Sequence, residues 1–321
     1  MSLNRTILIA VTFCFILVTA AIPASPSPQA AARACTPLPD AKIGIQMYSM
    51  NSVLRDPAPA PAGAGRGGAR GGGTPPAIVD SILAGLHTVG YKNAELAGLI
   101  GQPIAILRSL MEKNQIKVIG NHGNLTNDMT VWTQTIADAQ ALGQDPMIGA
   151  ANFGPPGLNG GIENVLATAA NLNKIGEAAA AKGFALFMHN HSAEISTTYS
   201  YDIKKNGKPE MVSALEIVAA NTDPRYVHFE IDVHWALDAY KLDQDAMIAF
   251  LNRLKGRIIA LHVKDTAPDG KITDVGKGII DWPRVYAAAG PDVKYYIWEY
   301  DGAPEPMKNA EIAYKYMRCI P

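Results

Sequence analysis

Eight short apolar runs, separated by longer stretches with helical spacing, predict a single (β/α)8 TIM barrel spanning residues 35–321. Three observations carry that expectation. A strand-then-helix unit repeats eight times within about 280 residues, the length of one such barrel. Several of the helical stretches stop at glycine, the usual helix terminator. No glycine-rich dinucleotide fingerprint follows the first strand, which weakens the runner-up, a doubly wound open sheet. The pattern shows no domain boundary.

In chain order the strand candidates are IGIQMYS from Ile43, KNAEL from Lys92, IKVIGNH from Ile116 and PMIGAA from Pro146. They continue with FALFMHNH from Phe184, YVHFEIDVH from Tyr226, IIALHVKD from Ile258 and VKYYIWEYD from Val293. Between them lie alanine- and leucine-rich stretches such as AIVDSILAGLHTVG, PIAILRSLMEKNQ, VLATAANLNKIGEAAAAKG and QDAMIAFLNRLKG, with the apolar period of helices. One segment breaks the rhythm. RDPAPAPAGAGRGGARGGGTPP, residues 55–76, is low in complexity and cannot bury a core. It falls between the first strand and the first helix, where a barrel opens on its catalytic face. It reads as a tolerated loop insertion; the functional alternative is a lid whose Arg66 and Arg70 meet an acidic substrate.

The chain begins MSLNRTILIAVTFCFILVTAAIPA. Arg5 precedes an apolar run over residues 6–22, and small residues follow, the pattern of a secretory signal peptide. Residues 1–34 therefore read as signal and linker, cut after Ala24 or Ala34, with an uncleaved anchor as the alternative. A periplasmic or secreted protein is expected, without a stable membrane span after cleavage. Cys14 would leave with the signal, and Cys35 and Cys319 remain at the two ends of the chain. In an oxidising compartment they form a natural disulfide, worth up to about 5 kcal/mol in the chain-entropy model. Two free thiols are the alternative, and lipidation of Cys35 is a third reading that Arg33 fits poorly. The 321 residues are 48% hydrophobic, enough for one large core, and 28 basic against 29 acidic side chains leave no electrostatic footprint for nucleic acid.

Chemistry concentrates at the carboxyl ends of the strands, where a barrel keeps it. Glu95, His122, His189 with His191, Asp232 with His234, His262 with Asp265, and Glu299 with Asp301 all fall there, and they include five of the chain's 7 histidines. His189 and His191 share one face of a strand by alternation, and Glu194 follows three residues later. Such a pair holds a metal, binds a sugar hydroxyl or ends a strand with hydrogen bonds; the neighbouring strands favour a site. His87 and His228 read as packing residues, and Glu230 as a core hydrogen-bonding group on the face of Asp232 but deeper. Buried carboxylates need compensating charge. A divalent cation supplies it, and a mixed Asp, Glu and His set suits Mn²⁺, Co²⁺, Zn²⁺ or Mg²⁺.

EIDVHW, LHVKD, GKGIIDW and IWEYD, in this order, resemble the sugar phosphate isomerase/epimerase family with its xylose isomerase-like barrel. MHNHSAE resembles the branch with a His-Asn-His-x-x-Glu motif on the fifth strand. The resemblance covers essentially residues 43–317. It implies one divalent ion in the barrel mouth, with Asp232, His262 and Glu299 as ligands. Many relatives place a glutamate on strand five where this chain has His189; Glu194 is favoured as the fourth ligand, with His189 as the alternative. It further implies α-proton abstraction next to a carbonyl through an enediolate. Glu299 is the first choice of base and Glu95 a further acid/base candidate. His122, His191, His234 and Lys264 would orient or protonate substrate oxygens. Isomerisation or epimerisation of a small carbohydrate is the leading expectation, and a lyase or dehydratase acting on a keto-sugar or keto-glycoside is the alternative. A sugar-binding barrel without chemistry, and a phosphodiesterase with several zinc ions, are the other readings. The sequence leaves the oligomeric state open; relatives with this barrel often associate, which makes a homo-oligomer one reading.

Overall fold

The computed structural model describes residues 36–54 and 74–320. The expected signal segment, Cys35 and residues 55–73 of the insertion, with Arg66 and Arg70, lie outside the described residues. Eight strands form one sheet: β1 (Ile43–Gln46), β2 (Asn93–Leu96), β3 (Lys117–Asn121), β4 (Met147–Ala150), β5 (Ala185–His189), β6 (Val227–Asp232), β7 (Ile258–Val263) and β8 (Tyr295–Trp298). Neighbours are parallel and run β3-β2-β1-β8-β7-β6-β5-β4. The two edges meet through a bridge between His122 and Gly149, and the Gly123 N–H donates to the Gly149 carbonyl at 2.9 Å. The result is a nearly closed (β/α)8 barrel.

Helices α1 (Pro76–Val89), α2 (Ile104–Lys113), α3 (Met129–Leu142), α4 (Ile162–Ala180), α5 (Ala214–Asn221), α6 (Gln244–Arg253), α7 (Trp282–Ala289) and α8 (Pro306–Arg318) follow the strands in turn. The first begins at Pro76, the last residue of the expected insertion, because proline's fixed φ suits a first helical turn. Side chains of Asp128, Ser213, Asp243 and Asp281 accept backbone N–H groups at the starts of α3, α5, α6 and α7.

Apolar side chains pack in two places. A large shell between strands and helices includes Leu83, Leu86, Leu172, Phe250 and Val285; each full burial of this kind is worth roughly 1.5–3 kcal/mol. A smaller layer of Ile119, Met147, Phe187, Ile259, Ala260 and Ile297 forms a separate cluster. Gly149 lets β4 approach β5, since a Cβ there would run into the Phe187 carbonyl and ring.

Some elements were not anticipated. A hairpin of Thr198–Tyr201 against Glu210–Ser213 follows β5, and Asp265–Thr266 pairs with Ile272–Thr273 beyond β7. Val233–Ala239 is a short helix, so His234 sits in its first turn rather than at the end of a strand. Among the described residues no helix is long and apolar enough to cross a membrane.

Candidate metal centre and active site

Two irregularities set the lowest polar layer. The β2–β3 pairing shifts register between Ala94 and Glu95, and the β6–β7 pairing between Phe229 and Glu230. Shifts of this kind re-aim side chains, and both carboxylates are fully buried. Glu230 Oε1 lies 2.9 Å from His122 Nε2, 3.1 Å from His189 Nδ1 and 3.0 Å from His262 Nε2. Glu95 Oε2 lies 2.9 Å from His262 Nε2 and 3.3 Å from His122 Nε2, and it accepts from Gln46 Nε2 at 2.8 Å. The other oxygens, Glu95 Oε1 and Glu230 Oε2, are buried and find no hydrogen-bond partner among the described residues.

His189, Asp232, His262 and Glu299 form the next layer, and one ligand atom from each lies within 4.8 Å of the others. A second set with the same spacing comprises His122, His189, Glu230 and His262. His262 Nδ1 is 2.9 Å from Glu299 Oε2. Lys264, also buried, places its ammonium 2.8 Å from Asp232 Oδ2, 2.7 Å from Glu299 Oε2 and 2.8 Å from Asp301 Oδ2. Asp232 uses its other oxygen, Oδ1, to cap the helix behind it by accepting from the Trp235 N–H at 3.0 Å. Asn190 Oδ1 accepts the Asp232 N–H at 3.1 Å. A cavity of about 560 Å³ opens on this cluster, lined by His122, His189, His191, Glu299, Asp301 and Tyr48 among others.

Charge explains how so many ionisable groups coexist without water. Burial works against a charged His122, yet Glu95 and Glu230 beside it push it up to about 10. Burial and the neighbouring His262 pull His189 down to about 4. His262 is raised well above the ordinary imidazole range; burial opposes this, and Glu230 and Glu299 outweigh it. Burial favours the neutral acid of Glu299, but Lys264 and His262 hold it well below the usual carboxylate range. Lys264 is raised despite its burial, through Asp232, Glu299 and Asp301.

These donors fit a divalent cation. The set is mixed oxygen and nitrogen, as Mn²⁺, Co²⁺, Zn²⁺ or Mg²⁺ require. The space beside Asp232 Oδ2 and Glu299 Oε2 already stabilises the positive charge of Lys264. Glu95 Oε1 and Glu230 Oε2, which find no hydrogen-bond partner among the described residues, are further unused oxygen acceptors in the cluster.

The structure brings Glu95, His122, His189, Asp232, His262, Lys264 and Glu299 together in one network. His191 is exposed and lines the cavity, its ring 5.0 Å from that of His189. Glu194 stands apart: its Oε2 accepts the His191 N–H at 2.8 Å in a capping box of the short helix Ser192–Ser196. It belongs to neither of the two four-residue sets. His234 is buried, bonds Thr266 Oγ1 at 2.8 Å and does not line the cavity. Asp265 is turned into its own loop rather than into the cavity. Gln46 and Asn190 were missed, because polar amides at strand ends carry no distinctive spacing.

The architecture is that of a (β/α)8 barrel with an ionisable cluster at its mouth. No family model matches the sequence, and no curated protein matches it either. Solved structures do match in fold. A sugar phosphate isomerase/epimerase from Parabacteroides distasonis superposes with a TM-score of 0.63 at 18% identity, covering 88% of this chain and 95% of that one. D-psicose 3-epimerase from Clostridium cellulolyticum gives 0.56 at 13% identity over 87% of this chain and 99% of the epimerase. A probable 3-DHS dehydratase from Bacillus anthracis gives 0.58 at 12% identity over 85% and 97%.

Proposed function

We propose that the protein is a metal-dependent sugar isomerase or epimerase that removes a proton from the carbon beside a carbonyl. The observation that carries this is the convergence of His189, Asp232, His262 and Glu299 within 4.8 Å at a cavity of about 560 Å³, two of them lining it. These four would hold one divalent ion, which when bound polarises the substrate carbonyl and stabilises the charge that develops on its oxygen.

The remaining roles fall to side chains. Glu299 is ionised, lines the cavity and is the base. His122, kept charged by Glu95 and Glu230, faces the same space and donates a hydrogen bond to a substrate oxygen. Lys264 neutralises Asp232, Glu299 and Asp301 and holds the base in place. His191 orients hydroxyls at the rim. Glu95 is sealed behind His122 and His262 and acts through them.

The likeness to a probable dehydratase favours a second reading, in which loss of the same proton expels a leaving group from a keto-sugar or keto-glycoside. Secretion into an oxidising compartment, the Cys35–Cys319 bridge and self-association belong to the same proposal. The test is α-proton exchange in D₂O over a panel of aldoses, ketoses and keto-glycosides, with Mn²⁺- or Co²⁺-loaded protein. Deuterium should enter beside the carbonyl, stop with a chelator, and slow by roughly 100-fold or more in Glu299→Gln. Tight sugar binding without any exchange would leave a non-catalytic barrel instead.

A further inference from the structure

His189 turns one ring nitrogen down to Glu230 and the other towards Asp232. For His189, Nδ1 is 3.1 Å from Glu230 Oε1 and Nε2 is 3.9 Å from Asp232 Oδ2. For His262, Nε2 is 3.0 Å from Glu230 Oε1 and Nδ1 is 3.9 Å from Asp232 Oδ2. A neutral imidazole has one N–H, and the hydrogen bond made by one nitrogen decides which of the two carries it. Glu95 Oε2 stands nearer to His262 Nε2, at 2.9 Å, and Glu299 Oε2 lies 2.9 Å from its Nδ1, so it is the His189 Nδ1 proton that has Glu230 as its nearest carboxylate.

We propose that Glu230 is a positioning residue that fixes the tautomer of His189, so that its Nε2 presents a lone pair to the divalent ion. The inference rests on the metal-centre reading above. Its physical basis is the register shift at Phe229/Glu230 and the complete burial of the side chain, which keep one oxygen within reach of the His189 ring. That oxygen is buried from bulk solvent, so the His189 N–H has a strong acceptor below. A glutamine at this position lacks the charge. Its amide can also donate to one ring, which would force that ring's proton to the metal side.

Titration of the metal-free full chain with Co²⁺ tests this. Wild type should take up one ion per chain, and Glu230→Gln should bind it about 10–100-fold more weakly, with an altered visible spectrum. Glu230→Asp keeps the charge and should recover part of the loss. If wild type binds one ion and Glu230→Gln binds it equally well, this role is wrong while the metal centre stands. If wild type binds none, both fail. Two ions per chain would make Glu230 a ligand through the lower set and overturn the positioning role. Should Glu230→Gln not fold, ¹⁵N-histidine spectra of zinc-loaded wild type decide. A proton on His189 Nδ1 supports the proposal, and its absence overturns it.

Discussion

Glu194 and His189 stand five residues apart and do different work. The glutamate sits three positions into its helix segment, where a carboxylate reaches back to the backbone N–H that opens the turn. Its charge is used up locally. His189 ends its strand one alternation earlier and points into the buried network. Accordingly, Glu194→Ala should cost about 1 kcal/mol of stability and leave metal affinity unchanged. His189→Ala should weaken binding by more than the roughly 10–100-fold that an outer partner is worth. Competition against a chromophoric chelator and a urea melt separate the two effects; a loss of affinity in Glu194→Ala would return the glutamate to the ligand set. Carboxylate chemistry alone favours Glu194 as a ligand; its capping role is what sets it apart in the fold. The spacing of a capping box was legible in HSAE, but a histidine stands where Ser or Thr usually does. Strand alternation, by contrast, puts Glu230 on the face of Asp232 but deeper, and His189 meets both, with Glu230 Oε1 3.1 Å from Nδ1 and Asp232 Oδ2 3.9 Å from Nε2.

Element by element, the segment between β7 and α7 shows why two sequence motifs travel together. Asp265, the last letter of LHVKD, gathers the loop that contains GKGIIDW. Its Oδ2 accepts from Gly276 N at 2.9 Å, Gly278 N at 3.2 Å and Trp282 Nε1 at 3.2 Å, while Oδ1 accepts from Thr266 N at 2.8 Å. A Cβ on Gly278 would collide with the Asp265 carboxylate and the Thr266 carbonyl, so only glycine fits. Removing the carboxylate leaves several buried donors bare at about 1–3 kcal/mol each. Asp265→Ala should therefore cost at least about 3 kcal/mol in urea unfolding, although the residue lies outside the cavity lining. A loss below 1 kcal/mol, on the scale of a single exposed hydrogen bond, would contradict that account. The barrel strands were legible because they are continuous apolar runs, and the helices because of their period and glycine stops. The hairpin after β5 was not, since TYSY and EMVS are short and largely unburied. His234 was misplaced because YVHFEIDVH reads as one run; the helix starts inside it, with Asp232 as its cap.

At the scale of the whole molecule, a barrel makes the first and last strands neighbours. Here β1 pairs with β8. That geometry, expected from the eight repeats, brings the two ends of the described barrel together. The Leu38 N–H donates to the Met317 carbonyl at 2.8 Å, the Arg318 guanidinium donates to the Leu38 carbonyl at 2.5 Å, and Asp40 bonds Tyr314 at 2.8 Å and Arg318 at 2.6 Å. Cys319 follows directly as the cap of α8. The polar side of this contact was not legible, because Asp40 and Arg318 lie far apart in sequence and neither belongs to a motif. A Cys35–Cys319 bridge, if formed, would covalently close a loop of nearly the whole barrel. In the chain-entropy model it restricts only the unfolded ensemble, which the terminal hydrogen bonds cannot do once the chain has opened. Reduction, or Cys319→Ser, should then lower unfolding free energy by up to about 5 kcal/mol while leaving metal binding intact. Protein recovered from an oxidising compartment should resist alkylation at both thiols until it is reduced. Rapid labelling of both in the folded, unreduced protein would rule the bridge out, and the ends would then be held by the Leu38, Asp40 and Arg318 contacts alone.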